Sequence, residues 1–292
     1  MEANELIKKV RKIEIRTRRL SRNIFSGEYH SAFKGKGMAF SEVREYQYGD
    51  DIRTIDWNVS ARFNHPYVKV FEEERELTVM LLVDVSGSEV FGTHGMHKKD
   101  LITELCAVIA FSSLQNNDKI GLIFFSDKIE KFIPPKKGRT HVLRIIRELI
   151  DFKPESTGTD LSVALKYAIN AIKKRSIVFI LSDFLSEDFE EPLKIISKKH
   201  DTIAVHIYDK REAEIPNVGL INVQDAETGE ILTFDTSDYN IRKNYMSRWE
   251  DEQNALHTLL KKNSIDTINL RTDESYIRPL INFFKKRGSR VG

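Results

Sequence analysis

The chain has 292 residues, of which 40% are hydrophobic, and its 46 Lys and Arg nearly balance its 44 Asp and Glu. A net charge of +2 excludes a strongly basic nucleic-acid binder as the default, and the length suits one large core with an added module. Cys106 is the only cysteine, which predicts a reducing compartment and a packing role. Without a secretory signal or a run of about 18 apolar residues, the chain is predicted to be cytoplasmic, with no membrane span.

The first segment is predicted to be a charged helix. Its apolar residues Leu6, Val10, Ile13, Leu20 and Ile24, with Thr17 filling the gap, recur at intervals of four and three. Ten Lys or Arg lie between residues 8 and 36, against four Glu in residues 1–36. Two interpretations stay open. The basic residues are either the solvated face of a helix packed on its own domain, or a contact surface for acidic protein or nucleic acid.

Residues 37–76 mix Gly, aromatic residues and paired charges, and are predicted to form a small β-rich module or a long crossing segment. The alternation in 67–71 predicts a strand. Six of the charged residues of this region are considered together: Arg44, Asp50, Asp51, Arg53, Asp56 and Arg62. They are interpreted either as an ion network that holds irregular backbone or, for Arg44, Asp50, Arg53, Asp56 and Arg62, as a partner-docking surface. The predicted domains are 1–76 and 77–292.

The remainder alternates strand and helix, which predicts an α/β fold with a mainly parallel, doubly wound sheet. Strands are predicted near 77–83, 120–125, 129–133, 176–183, 203–208 and 267–270, and helices near 100–115, 140–150, 161–172, 240–262 and the carboxyl end. Pro134 and Pro135 are predicted to end their strand. A β-hairpin insertion is predicted near 218–236.

Oxygen-bearing side chains follow two of the predicted buried strands. Asp84, Ser86 and Ser88 come directly after the first, and Asp183 ends another. Thr159 stands just before a helix. Because ligands collect at the carboxyl ends of strands where the topology reverses, both aspartates are expected to meet there. Such donors suit Mg²⁺ or Mn²⁺, with the hydroxyls ligating directly and the acids acting mainly through water.

The order and context of Asp84, Ser86, Ser88, Thr159 and Asp183 resemble the metal-ion-dependent adhesion site of von Willebrand factor A domains. Residues 46–62, from Tyr46 to Arg62, resemble the signature of the bacterial domain-of-unknown-function family 58. The resemblance covers roughly 35–210. It implies a von Willebrand factor A or Rossmann-like fold and a metal position left open for a partner's carboxylate. Because such sites bind metal weakly without that carboxylate, occupancy is expected to depend on the partner. Glu89 adds an acid close to this site.

Members of that family are usually encoded beside MoxR-type AAA+ ATPases. The resemblance therefore implies a non-catalytic interaction module that serves as an adaptor or partner of such an ATPase in protein assembly or maturation. The function is expected to reside in protein contacts rather than in turnover.

The sequence lacks residues that the enzymatic alternatives would need for catalysis. No P-loop pattern is present, which argues against nucleoside triphosphate hydrolysis. A Mg²⁺-dependent phosphohydrolase with Asp84 as nucleophile stays open, although Ser86 stands where a second acid is usual. RNA binding is a third, weaker possibility. His94 and His97 lack zinc-site spacing, and His206 is interpreted as a core residue.

Overall fold

The computed structural model describes residues 3–21, 29, 32–33, 39–72, 76–87, 97–224 and 231–291. The strands of this part are β1 Ala39–Glu45, β2 Tyr67–Glu72, β3 Thr78–Asp84, β4 Lys119–Phe125, β5 Ile129–Lys136, β6 Ile177–Ser182, β7 Asp201–Tyr208, β8 Leu220–Gln224, β9 Ile231–Asp235 and β10 Asp266–Arg271. Within the described ranges, β10, β7, β6, β3, β4 and β5 form one six-stranded sheet in that order. Only the pairing of β4 with β5 is antiparallel. The predicted fold class is confirmed.

The helices cover both faces of this sheet. They are α1 Ala3–Leu20, α2 Trp57–Phe63, α3 Lys98–Gln115, α4 Arg139–Asp151, α5 Leu161–Ala171, α6 Glu190–Lys199, α7 Lys210–Ala213, α8 Tyr239–Lys262 and α9 Ile277–Val291. Successive residues of a strand point to opposite faces, and β3 shows this directly. Its odd-numbered residues from Val79 to Val83 pack with α3, α4 and α9, whereas Met80 and Leu82 pack with α5 and α6. Burial on both faces explains the continuous apolar runs.

The strand order places a reversal of topology between β3 and β6. The chain adds β4 and β5 on one side of β3, then crosses to β6 and continues with β7 and β10 on the other side. The carboxyl ends of β3 and β6 therefore define the switch point, where a crevice forms. Asp84 ends β3, and Asp183 follows β6.

The amino-terminal helix packs on its own protein. Val10, Ile13 and Leu20 contact the core beneath α3 and α4, and Thr17 is fully buried. Arg16 forms an ion pair of 2.5 Å with Glu104 of α3. The helix prediction is confirmed, and its apolar seam has a partner within this chain.

One prediction about the sheet region was wrong. Pro134 and Pro135 do not end their strand, since β5 continues through them to Lys136, which pairs with Ile120. The strand tolerates them because it lies at the sheet edge, where backbone donors are dispensable. Gly121 of β4 also makes room, because a Cβ there would lie 2.9 Å from the Pro135 nitrogen. Helix α6, between β6 and β7, was not predicted from the sequence.

Two smaller sheets lie outside the main one. Strands β1 and β2 pair antiparallel, and together with α2 they form the signature module, residues 39–72. The predicted strand at 67–71 is β2. Strands β8 and β9 form the predicted hairpin, whose turn at 228–229 falls outside the described residues. None of the described helices has the length and apolar character needed to cross a bilayer.

Candidate functional site

Asp84 is held at the switch point by hydrogen bonds to both of its carboxylate oxygens. Oδ1 accepts the Ser86 backbone N–H at 3.0 Å, and Oδ2 accepts the Ser182 hydroxyl at 2.8 Å. The carboxylate is 1% exposed, and the Ser86 side chain is fully buried beside it. These contacts fix the orientation of Asp84 before any ligand arrives.

Asp183 brings a second carboxylate to the same place. Its Oδ1 accepts the Leu185 backbone N–H at 3.2 Å, and its side chain is buried. Burial, followed by the negative charge of Asp183, raises the pKa of Asp84 to about 6. The structure therefore brings the two predicted aspartates together, and their mutual repulsion favours a cation between or beside them.

A buried lysine, which sequence reasoning missed, already supplies one cation. The Lys98 ammonium lies 3.2 Å from Asp183 Oδ2 and 2.7 Å from Glu212 Oε1, and its side chain has no exposed surface. A sequence signal did exist. Lys98 occupies the first turn of α3, where the positive end of the helix dipole disfavours a cation, so a buried lysine there requires acidic partners.

The Thr159 segment is joined to the Ser86 turn by backbone bonds. The Gly87 N–H donates to the Thr157 carbonyl at 2.8 Å, and the Asp160 N–H donates to the Ser126 carbonyl at 2.9 Å. Thr159 is half-buried in this segment. The predicted hydroxyl is thus carried on a loop that contacts the Asp84–Gly87 turn.

Glu130, whose role was not predicted from the sequence, holds this loop through hydrogen bonds. One oxygen of its carboxylate accepts the Ser126 hydroxyl at 2.8 Å and the backbone N–H groups of Glu155 and Ser156, both at 3.1 Å. Ser88, Glu89 and His94 lie outside the described residues, so their predicted roles rest on the sequence. His97 is exposed immediately before α3.

The donor set fits a hard divalent cation. Asp84, Ser86, Asp183 and Thr159 offer carboxylate and hydroxyl oxygens only, and such ligands suit Mg²⁺ or Mn²⁺. In the described ranges, no group of three or more His, Cys, Asp or Glu is arranged to hold a metal. The hydroxyls are therefore essential to any such site. The close hydrogen bonding of both Asp84 oxygens also fits a water-mediated role better than nucleophilic attack.

A cavity of about 790 Å³ opens next to these residues, between β7 and α8. Asp183 and Glu212 form its inner wall, and Tyr208, Tyr245 and Trp249 supply aromatic surface. Trp249 packs on Tyr208 with ring centroids 5.4 Å apart. The cavity gives a second approach to the buried charges besides the loop edge.

Two predicted core residues are confirmed. His206 in β7 is 2% exposed and stacks on Tyr208 with ring centroids 5.1 Å apart. Burial, the largest influence, lowers the pKa of this imidazole to about 4, so it is neutral at pH 7. Cys106 is fully buried in α3, and desolvation raises the pKa of its thiol.

The charged residues of the signature module divide into two groups. Arg44 and Asp50 form a bidentate pair, with nitrogen–oxygen distances of 2.8 and 2.7 Å. Asp56 caps α2 by accepting the Asn58 N–H at 3.0 Å. Arg53 and Arg62 are exposed, as are four large apolar side chains of the module. The latter are Tyr48, Ile52, Trp57 and Phe63.

The sheet order defines a mainly parallel, doubly wound α/β protein with oxygen donors at its switch point. Residues 42–255 match the model of the family described as Protein of unknown function DUF58, so the chain belongs to that family. This confirms the resemblance carried by residues 46–62.

Three similar proteins match different shares of this chain. The chain is 28% identical to the uncharacterized protein Rv1480 of Mycobacterium tuberculosis over 288 residues, which cover 97% of this chain and 90% of that protein. It is 30% identical to the uncharacterized protein YeaD of Bacillus subtilis over 109 residues, 37% of this chain and 25% of that protein. A solved aerotolerance-related membrane protein from Bacteroides fragilis has 14% identity and a TM-score of 0.50, covering 73% of this chain and 99% of that chain. This last likeness concerns the fold alone.

Proposed function

We propose that the protein is a non-catalytic, divalent-metal-dependent interaction module that acts as a partner of a MoxR-type AAA+ ATPase. The observation that carries the proposal is the convergence of two buried carboxylates, Asp84 and Asp183, with the Ser86 hydroxyl at the switch point. Oxygen donors with excess negative charge favour a small hard cation. The proposal that the partner is such an ATPase rests on the family resemblance.

Ser86, Ser88 and Thr159 would hold Mg²⁺ or Mn²⁺ through their hydroxyls, and Asp84 and Asp183 would act mainly through water. When bound, the metal supplies a Lewis-acidic position that a partner's Asp or Glu can complete. The chain's own residues do the rest. Ser182 and the Ser86 backbone orient Asp84, and the Gly87–Thr157 bond keeps the Thr159 loop against the turn.

The signature module offers a second contact surface for the same partner. Arg44, Asp50 and Asp56 hold its backbone, whereas Arg53 and Arg62 remain exposed beside uncovered apolar side chains. Trp57 is 68% exposed, and exposed tryptophan and arginine side chains are the types that are enriched in interface hot spots. We assign partner docking to this exposed group and a supporting role to the paired residues.

Metal titration of the purified protein tests the cation, and capture of a purified MoxR-type ATPase tests the partner. Mn²⁺ binding, followed by electron paramagnetic resonance, is expected for the wild type and strongly weakened in Asp84→Asn. ATPase capture is expected with Mg²⁺ and lost with chelator or in Asp84→Asn. The matched control is Asp100→Asn, which removes an exposed carboxylate from the first turn of α3.

Equal ATPase capture with Mg²⁺, with chelator and in both variants would count against metal dependence. Circular dichroism of each variant separates loss of the site from loss of the fold. Turnover of simple phosphate esters by the wild type that disappears in Asp84→Asn would replace the interaction proposal with the phosphohydrolase alternative.

A further inference from the structure

Lys98 stands in the wall of the proposed metal site and contacts one of its carboxylates. The ammonium lies between Asp183 Oδ2, at 3.2 Å, and Glu212 Oε1, at 2.7 Å. Its side chain is fully buried, and that of Glu212 is 20% exposed. The positive charge is therefore shielded from solvent and felt strongly by neighbouring groups.

The charges of four described residues at this site, including Lys98, do not cancel. Asp84, Asp183 and Glu212 carry three negative charges when ionised, and Lys98 carries one positive charge. Two negative charges are left, which is the charge of one divalent cation. Asp183 also lies close enough to Asp84 for its negative charge to raise the pKa of Asp84.

Glu212 is a fixed second acceptor for the ammonium. Its Oε2 accepts the Asp209 backbone N–H at 2.9 Å within the capping box of α7, which leaves Oε1 directed at Lys98. The Lys98–Glu212 contact is the shorter of the two ion pairs. Lys98 can thus keep a carboxylate partner while Asp183 turns to another cation.

We propose that Lys98 is a built-in competitor of the divalent cation for Asp183, and that Glu212 sets the strength of this competition by holding the ammonium away. The inference rests on the proposed metal function and deepens it, since it names the chain's own control of metal affinity. Glu212 lies in the wall of the cavity beside β7 and α8, so a ligand in that cavity reaches the control element.

A purely structural ion pair makes a different prediction. If Lys98 only stabilises the fold, replacing it lowers stability and leaves metal affinity equal or weaker. If Lys98 competes with metal, removing the ammonium strengthens metal binding, because Asp183 is released and a nearby positive charge is gone. The sign of the change in metal affinity therefore decides between the two roles.

The experiment measures the dissociation constant for Mn²⁺ in the full chain by calorimetry and electron paramagnetic resonance. Lys98→Met is expected to tighten Mn²⁺ binding by about tenfold or more, as removal of a buried charge a few ångströms away implies. Lys99→Met is the matched control. It removes the same charge from the next residue, which is exposed and donates to the Phe152 carbonyl at 2.9 Å, and its affinity should match the wild type.

Glu212→Gln tests the second half of the proposal in a double-mutant cycle. Neutralising Glu212 should weaken Mn²⁺ binding in the wild-type background, because Lys98 then engages Asp183 more fully. In the Lys98→Met background the same change should have a smaller effect, which measures the direct loss of charge. Glu214→Gln, an exposed neighbour near Lys210, is the control for this position.

The outcomes separate the inference from the function on which it rests. Unchanged or weaker Mn²⁺ binding in folded Lys98→Met, with binding intact in the wild type, overturns the competitor role and leaves the metal site standing. Absence of binding in every variant overturns both. Binding in Lys98→Met but not in the wild type supports the inference strongly. If Lys98→Met folds only when Mn²⁺ is added, the dissociation constant is obtained from the metal-dependent rise in Tm of both proteins, and the competitor role is supported only if the variant binds more tightly than the wild type.

Discussion

Two charged regions of the molecule differ in what surrounds their charges. At the switch point, Asp84, Asp183 and Lys98 are buried, and each is held by partners from distant parts of the chain. In the signature module, Arg44 and Asp50 form an ion pair only six residues apart, open to solvent. Burial makes a charge dependent on its neighbours, whereas exposure lets water replace them. The first region should be sensitive to any single change, and the second tolerant.

Removing Asp183 should have the largest effect. Asp183→Ala removes one of the carboxylates that the buried Lys98 ammonium contacts, so the free energy of unfolding should fall by about 3 kcal/mol or more. Urea denaturation measures this loss. The matched change in the open region, Asp50→Ala, should cost much less because its arginine partner is solvated. Similar losses for the two variants would contradict the contrast between the regions.

Glu130→Ala should have the next largest effect, because one carboxylate serves several donors of the Thr159 loop. Without it, the Glu155 and Ser156 amides and the Ser126 hydroxyl lose their acceptor, at a cost of about 1 to 3 kcal/mol. Hydrogen exchange of the Ser156 amide should accelerate. Glu155→Ala removes only a surface contact with Lys128 and is expected to leave that exchange rate unchanged.

The buried His200 should make the stability of the protein depend on pH, whereas an exposed histidine should not. Burial lowers the pKa of its imidazole to about 4, and Nδ1 accepts the Ser176 N–H at 3.3 Å. Since the unfolded chain binds this proton near pH 6.5, the stability contributed by neutral His200 is present above pH 6.5 and is lost as pH falls towards 4. The free energy of unfolding of the wild type relative to His200→Gln should fall by about 1 to 2 kcal/mol between pH 7 and pH 5.

His65→Gln is the exposed control in the signature module. Its stability relative to the wild type should stay constant over the same pH range. A pH-independent difference between the wild type and His200→Gln would show that burial of this imidazole does not govern acid sensitivity.

Trp57→Ala should have the smallest effect on stability and a clear effect on binding. The side chain is 68% exposed, so the free energy of unfolding should change by less than about 0.5 kcal/mol. Capture of the proposed ATPase should fall, because the indole belongs to the proposed docking surface. Tyr239→Ala, an equally exposed aromatic at the start of α8, is the control. Undiminished capture of the ATPase by Trp57→Ala would contradict the proposal that the signature module is part of the interface.

Much of this fold was predictable because its strands and helices carry clear periodicity. Continuous apolar runs such as 77–83 marked buried parallel strands, and the residues just beyond them marked the edge where Asp84 and Asp183 meet. The helical spacing of apolar residues predicted α5 and α8. The strand through Pro134 was missed because tolerance of proline depends on the strand's place at the sheet edge, which emerges only from the complete topology.

The candidate site was predictable in part for a related reason. Asp84, Ser86 and Asp183 follow strands, so sheet geometry alone brings them together. Lys98 and Glu212 are 114 residues apart and carry no local pattern beyond an unfavourable lysine at a helix start. Glu130 lies in an edge strand, and two of its partners are backbone N–H groups. Because nearly every residue has such a group, the sequence does not indicate which ones Glu130 binds. Contacts made by tertiary packing are therefore the part that sequence reasoning missed.

The prolines of β5 also bear on how this protein meets others. The outer strand of a sheet usually offers unpaired N–H groups that can template a foreign strand. Pro134 and Pro135 have none, and Pro134 is exposed on that rim. The two prolines therefore disfavour pairing of a further strand with this stretch of β5, which opposes edge-to-edge association of two copies of the protein. In the described part of the chain, β10 is the other edge strand of the six-stranded sheet, so an added strand would be expected there.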